Sequence, residues 1–132
     1  MIVLLLIKPG SLRDGLNALL YTISDVQLVV HVNDVSAALE FCLKNSNTLV
    51  IMEIKSGDSA LIARAPEMKA LNPQMPVIAL IHDENDREVA GQAGIDLIMD
   101  IGTRAPDLKV KIEAMVGNLP TMDTIDRKRW LG

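Results

Sequence analysis

Thr48-Leu-Val-Ile-Met-Glu-Ile54 is apolar at every position except its first and its sixth, and it runs straight into Lys55-Ser-Gly-Asp58. A short, unbroken apolar run closed by turn residues reads as a strand buried on both faces. Strands of that kind belong to parallel sheets covered above and below by helices. The one acid in the run, Glu53, stands at the strand's end, where such a sheet opens into its loops.

The same pattern recurs along the chain. Apolar runs of strand length occupy residues 2 to 7, 26 to 32, 75 to 81 and 96 to 101. Between them lie stretches of helical period: Leu12, Leu16, Leu19, Leu20 and Ile23 form one stripe, Val35, Ala38, Leu39 and Cys42 a second, and Leu108, Ile112, Met115 and Val116 a third. Asn33 or Asp34 suits the N-cap of the second helix, and Pro106 the first turn of the last. Asn85-Asp-Arg-Glu88 has the spacing of a capping box, and Gly94 suits the end of that short helix. Residues 59 to 71 read as helical too, but Pro66 in their middle predicts a kink or two short helices.

Five strand and helix pairs in alternation predict an α/β fold, a (βα)5 three-layer sandwich of the flavodoxin-like kind. Right-handed crossovers leave few topologies, and the sheet order expected is 2-1-3-4-5. The functional edge then lies beyond the strand C-termini, at the switch point between the first and third strands.

Composition narrows the partners. The chain has 132 residues, enough for one domain with a real core. Its three aromatics, Tyr21, Phe41 and Trp130, leave the core to Leu, Ile, Val, Ala and Met. A net charge of -4 argues against a chain that grips a nucleic acid backbone, and no helix-turn-helix is legible. The lone Cys42 lies on an apolar helical face and reads as core filler. Met1-Ile-Val-Leu-Leu-Leu-Ile7 lacks a basic leader region and breaks at Lys8-Pro-Gly, and no run approaches the ~18 apolar residues of a membrane span. A cytoplasmic domain over residues 1 to 119, followed by a tail or linker over 120 to 132 with the basic cluster Arg127-Lys-Arg129, is the expected organisation.

With strands and motifs in place, the chain resembles the receiver domain of bacterial response regulators over roughly residues 2 to 118. Residues 3 to 16 resemble the family's first strand, loop and first helix. Asn33-Asp-Val-Ser-Ala-Ala-Leu39 resembles its second-helix start. Met75-Pro-Val-Ile-Ala-Leu80 and Ala93-Gly-Ile-Asp96 resemble its fourth strand and its approach to the fifth. The resemblance implies a phosphoryl-accepting aspartate after the third strand, two magnesium-binding acids after the first, a hydroxyl after the fourth and a lysine after the fifth. This sequence has Glu53 at the acceptor, Ile7 and Lys8 at the acidic pair, Ile81 at the hydroxyl and Ile101 at the lysine. Every one of these positions departs from the pattern.

The departures have one chemical meaning. Magnesium needs hard oxygen donors, and one carboxylate beside one ammonium is a poor substitute for three carboxylates. Without metal or lysine, nothing neutralises the oxygens of a transferring phosphoryl group. An ion pair of Glu53 with Lys8 is one expected role for the acid; at ~4 Å and an effective dielectric near 20 it gains about 4 kcal/mol of Coulomb energy, much of it offset by desolvation. A solvated strand-end acid is the other. His82 reads as a loop histidine with no second His, Cys or nearby acid at metal-ligand spacing, His31 as a core or edge histidine, and Asp58, Asp83 and Asp100 as stray acids near the edge.

The expectation is therefore a degenerate receiver, or pseudo-receiver, with no enzymatic activity, cofactor or metal, acting in signal transduction or transcription regulation by phosphorylation-independent protein contacts. The resemblance implies that its partner, or a second copy, docks on the fourth helix, fifth strand and fifth helix. That face offers Arg87, Glu88, Ile98, Arg104, Asp107, Lys109, Lys111 and Glu113. Ile98 stands where many receivers carry a switch aromatic. A phosphorylatable receiver with a non-standard acceptor and a flavodoxin-like small-ligand binder are the alternatives. Flavin binding has poor support, since Lys8-Pro-Gly-Ser11 has only Tyr21 near it to stack on a ring.

Overall fold

The computed structural model describes residues 1–55 and 59–117. Asp58 and the 120–132 tail, with Arg127, Arg129 and Trp130, lie outside the described residues. The elements alternate as expected: β1 (Ile2–Leu6), α1 (Ser11–Leu20), β2 (Leu28–Val32), α2 (Val35–Lys44), β3 (Thr48–Ile54), α3 (Ser59–Leu71), β4 (Val77–Ile81), α4 (Asp86–Gln92), β5 (Leu97–Asp100) and α5 (Ala105–Gly117).

All strands pair in parallel, in the order β2-β1-β3-β4-β5. A parallel sheet buries both faces, and two separate apolar layers do this here. On one face Val3, Leu5, Leu49, Ile51, Ile78 and Leu80 meet Leu16 and Leu20 of α1 and Leu108, Ile112 and Val116 of α5. On the other, Leu4, Val50, Met52, Ile54 and Ala79 meet α2, α3 and α4. Alternation along β3 assigns its residues in turn to the two layers, so the strand is buried throughout apart from the half-buried Glu53.

Local signals explain most boundaries. The Asp34 carboxylate accepts a hydrogen bond from Ala37 N at 2.8 Å and opens α2. Gly94, at φ +85°, ends the α4 turn in the left-handed region that glycine enters without cost. Two expectations are corrected. Asn85 makes no side-chain cap to α4; the turn before the helix is shaped instead by Asp83, whose Oδ1 accepts from Asn85 N at 2.9 Å in an Asx turn and whose carbonyl accepts from Asp86 N at 3.0 Å. Residues 59 to 71 form one continuous helix with Pro66 inside it. Ile62, Ala65 and Met68, all at most 1% exposed, pack this helix on the sheet. Burial of that stripe outweighs the backbone bond that proline removes.

At the strand N-termini Asp96 is the fastening. Its Oδ2 accepts from Val77 N and from Lys69 Nζ, each at 2.8 Å, and Lys69 Nζ also donates to Met75 O. The opposite rim, where the strands end, is left to the loops that carry the candidate site.

Candidate functional site

Glu53 shares its side of β3 with Leu49 and Ile51. In the register with β4 it lies opposite Leu80. His82 follows Leu80 by two residues and so projects to the same side, and its backbone N–H donates to Ile54 O at 3.1 Å, extending the ladder past the strand. This brings imidazole and carboxylate together, with His82 Nε2 2.7 Å from Glu53 Oε2. The Glu53 side chain is 10% exposed and that of His82 35%. Since a carboxylate only accepts, Nε2 carries the proton of this bond.

This corrects the expected partner of Glu53, which is His82 rather than Lys8. Lys8 lies past the end of β1 in an exposed loop, and among the described residues no salt bridge joins it to an acid. Lys8 and Glu53 do line one cavity. Spacing hides the observed pair, because its members are 29 residues apart. The β3 and β4 register would have revealed it.

His82→Ala leaves a nearly buried carboxylate without its donor. We expect a loss of about 1–2 kcal/mol of unfolding free energy, and a coupling of about 1 kcal/mol between His82→Ala and Glu53→Gln in a double-mutant cycle. Denaturant unfolding of the four proteins measures both. Additive effects would show that the two side chains do not support each other.

The other pocket positions are packing residues. Ile7, 2% exposed, belongs to the layer of α1 and α5, and the half-buried Ile101 packs on it. Ile81, 1% exposed, belongs to the opposite layer. A magnesium ion does not fit this set: the three isoleucines offer no donor, Lys8 is a cation, and the Glu53 carboxylate is engaged by His82. Among the described residues no group of three His, Cys, Asp or Glu could hold a metal. Asp100 spends its carboxylate on Arg87 and its carbonyl on Thr103. His31 is exposed on the edge strand, its Nε2 3.1 Å from Asn17 Oδ1. Cys42 is buried, which pushes its thiol pKa up and suits core filler.

The face of α4, β5 and α5 carries a groove of about 470 Å³, lined among others by Arg87, Ile98, Asp107, Val110 and Lys111. Arg87 is its hub. Nε donates to Glu84 Oε1 at 2.6 Å, Nη1 to Ile98 O at 3.2 Å and Nη2 to Asp100 Oδ1 at 3.1 Å. The hydrogen bond from Arg87 holds the Glu84 carboxyl below its ordinary range, and Glu84 in turn raises the guanidinium. Asp107 and Lys111 share the groove flank of α5, whereas at 100° per residue Lys109 and Glu113 fall on the other side of its buried stripe. Glu88 and Arg104 are exposed. Val110, 66% exposed, adds an apolar side chain to the groove. It was legible only as an apolar residue outside a core stripe, a weak signal taken singly.

Comparison with solved structures gives this geometry a setting. A CheY-like protein, TadZ, from Pseudomonas aeruginosa superposes with a TM-score of 0.74 at 19% identity, over 92% of this chain and 97% of that one. The receiver domain of a sensor histidine kinase from the same organism, with a magnesium ion coordinated in its active site cleft, matches with a TM-score of 0.72 at 19% identity, over 89% and 98%. The chain has the receiver-domain fold. A LuxR family DNA-binding response regulator from Silicibacter pomeroyi also matches, with a TM-score of 0.72 at 22% identity, over 88% and 91%. No family model matches the sequence and no curated protein matches it, so the likeness is one of fold.

Proposed function

We propose that this receiver fold works as a pseudo-receiver, a cytoplasmic signalling module that binds a protein partner or a second copy of itself without phosphorylation and catalyses no reaction. The observation that carries this reading is the Glu53 carboxylate held by His82 at 2.7 Å, with Ile7, Ile81 and Ile101 where phosphoryl chemistry needs charged or hydroxylated groups. An acid already hydrogen bonded, with no metal donor set around it, is a poor acceptor. The histidine fixes the acid in place, so the switch point is built as a rigid element.

The contact surface proposed is the groove of α4, β5 and α5, where Val110 stands among Arg87, Asp107 and Lys111. An exposed apolar side chain ringed by charge has the make-up of an interface core and rim. No helix among the described residues is long and apolar enough to cross a membrane.

Titration of isotopically labelled protein with magnesium, beryllofluoride and acetyl phosphate tests the reading. The expected result is no saturable change at the amides of Glu53 and Ile81. Saturable shifts there would return the chain to the phosphorylatable receivers. Light scattering at rising concentration tests self-association, and a concentration-independent monomer would leave a different protein as the partner.

A further inference from the structure

We propose that the crevice between α1 and the start of α5 binds a compact neutral organic molecule, one ring in size and bearing a single hydroxyl. The crevice has a volume of about 200 Å³, and an apolar cavity of roughly 150 Å³ already takes up benzene. Ile7, Lys8, Glu53 and Ile81 are not among its lining residues. Of the positions that correspond to the phosphoryl cleft it meets Ile101, through an aliphatic side chain.

Its space comes from a gap in a helical stripe. Leu12, Leu16 and Leu19 lie on one face of α1 and line the crevice, and the spacing i, i+3, i+4, i+7 calls for another apolar side chain at residue 15. Gly15 stands there instead and also lines the crevice. Its φ is not positive, so the backbone does not require glycine, and a glycine inside a helix costs stability relative to alanine. A Cβ added at this position would meet no heavy atom within 4 Å. The missing side chain leaves open a space floored by Leu16, Leu80 and Leu108, all buried.

The rim sets the chemistry of the ligand. Ser11, Asp100 and Thr103 are its polar members, and among the described residues no cation lines it. Asp100 is already paired, its Oδ1 accepting from Arg87 Nη2 at 3.1 Å. A charged ligand would therefore lose its hydration without gaining a partner, which favours a neutral one. Thr103 Oγ1 donates to Asp100 O at 2.7 Å, and its oxygen still accepts. The Ser11 hydroxyl makes no hydrogen bond among the described residues, so it can donate and accept. One hydroxyl on an otherwise apolar ring matches these two groups above an apolar floor.

Phenol is the probe, titrated into the isotopically labelled full chain, with benzoate as the comparison. The expected result is saturable amide shifts at Gly15, Ile101 and Leu108, with Leu39 and Leu61 of the opposite layer unmoved and benzoate at least about tenfold weaker. Gly15→Leu fills the gap and is expected to weaken phenol at least about tenfold while raising the melting temperature by about 2–5 °C, because leucine favours a helix over glycine. Ser11→Ala removes one hydrogen bond and is expected to weaken phenol about threefold. Thermal unfolding shows that both variants are folded. Absence of saturable shifts at those amides, benzoate binding as tight as phenol, or unchanged phenol affinity in either folded variant would each overturn the proposal. Because Glu53 and Ile81 lie outside the crevice, these outcomes are separable from those of the beryllofluoride titration.

Discussion

Replacing Ile7 with aspartate is expected to cost about 3–5 kcal/mol of unfolding free energy without creating a magnesium site. The side chain is 2% exposed in the layer formed by α1, α5 and one face of the sheet. Removing it forfeits roughly 1.5–3 kcal/mol of apolar burial. The incoming carboxyl has no partner in that layer, and an unsatisfied buried polar group costs about 1–3 kcal/mol more. Ile7→Val, which keeps the shape, should cost only about 0.5–1.5 kcal/mol. Denaturant unfolding measures the difference, and calorimetry with magnesium measures the rest. An Ile7→Asp protein that stays stable and binds magnesium would mean that the cleft still holds metal chemistry behind an altered residue.

The second large effect concerns the groove between β5 and α5. Val110→Glu is expected to weaken binding of the partner, or of a second copy, at least about tenfold, because a charge placed in an interface core is desolvated without compensation. The same change should leave monomer stability within about 0.5 kcal/mol, as Val110 is 66% exposed and surface substitutions are usually that mild. Glu113→Ala, on the other flank of α5, is the control and should leave affinity nearly unchanged. Equal affinity in Val110→Glu and the parent protein would move the contact surface elsewhere. Light scattering serves if the partner is a second copy; otherwise affinity is read against the identified protein.

Much of the fold could be read from the chain because its signals are local. Continuous apolar runs name the buried strands, and the stripes at Leu16 and Leu20, Ala38 and Cys42, and Leu108 and Ile112 name the helix faces laid on them. Pro66 misleads because its cost is local while the compensation, burial of Ile62, Ala65 and Met68, comes from the sheet. Asn85 misleads in a related way, since the first N–H groups of α4 are met by the backbone carbonyls of Asp83 and Glu84. At the site, the position of Glu53 was legible but its partner was not. Lys8 is the cation one would choose from charge alone, yet register and side-chain parity bring His82 to the carboxylate. Charges along a chain do not specify which of them meet.

The bonds that Arg87 makes carry a consequence for motion. A helix as short as α4 does not hold together alone, and Arg87 fastens it to Ile98 and Asp100 of the neighbouring strand. Those bonds sit at a half-exposed side chain, where an ion pair is worth little. Local opening of α4 should therefore need far less free energy than opening the strands, so its amides should exchange with solvent earlier than those of β3. A partner that seats on Val110 and leaves Arg87 in place would slow that exchange, and one that draws Arg87 away would speed it. The exchange rate of seven residues thus becomes a gauge of how the face is being used.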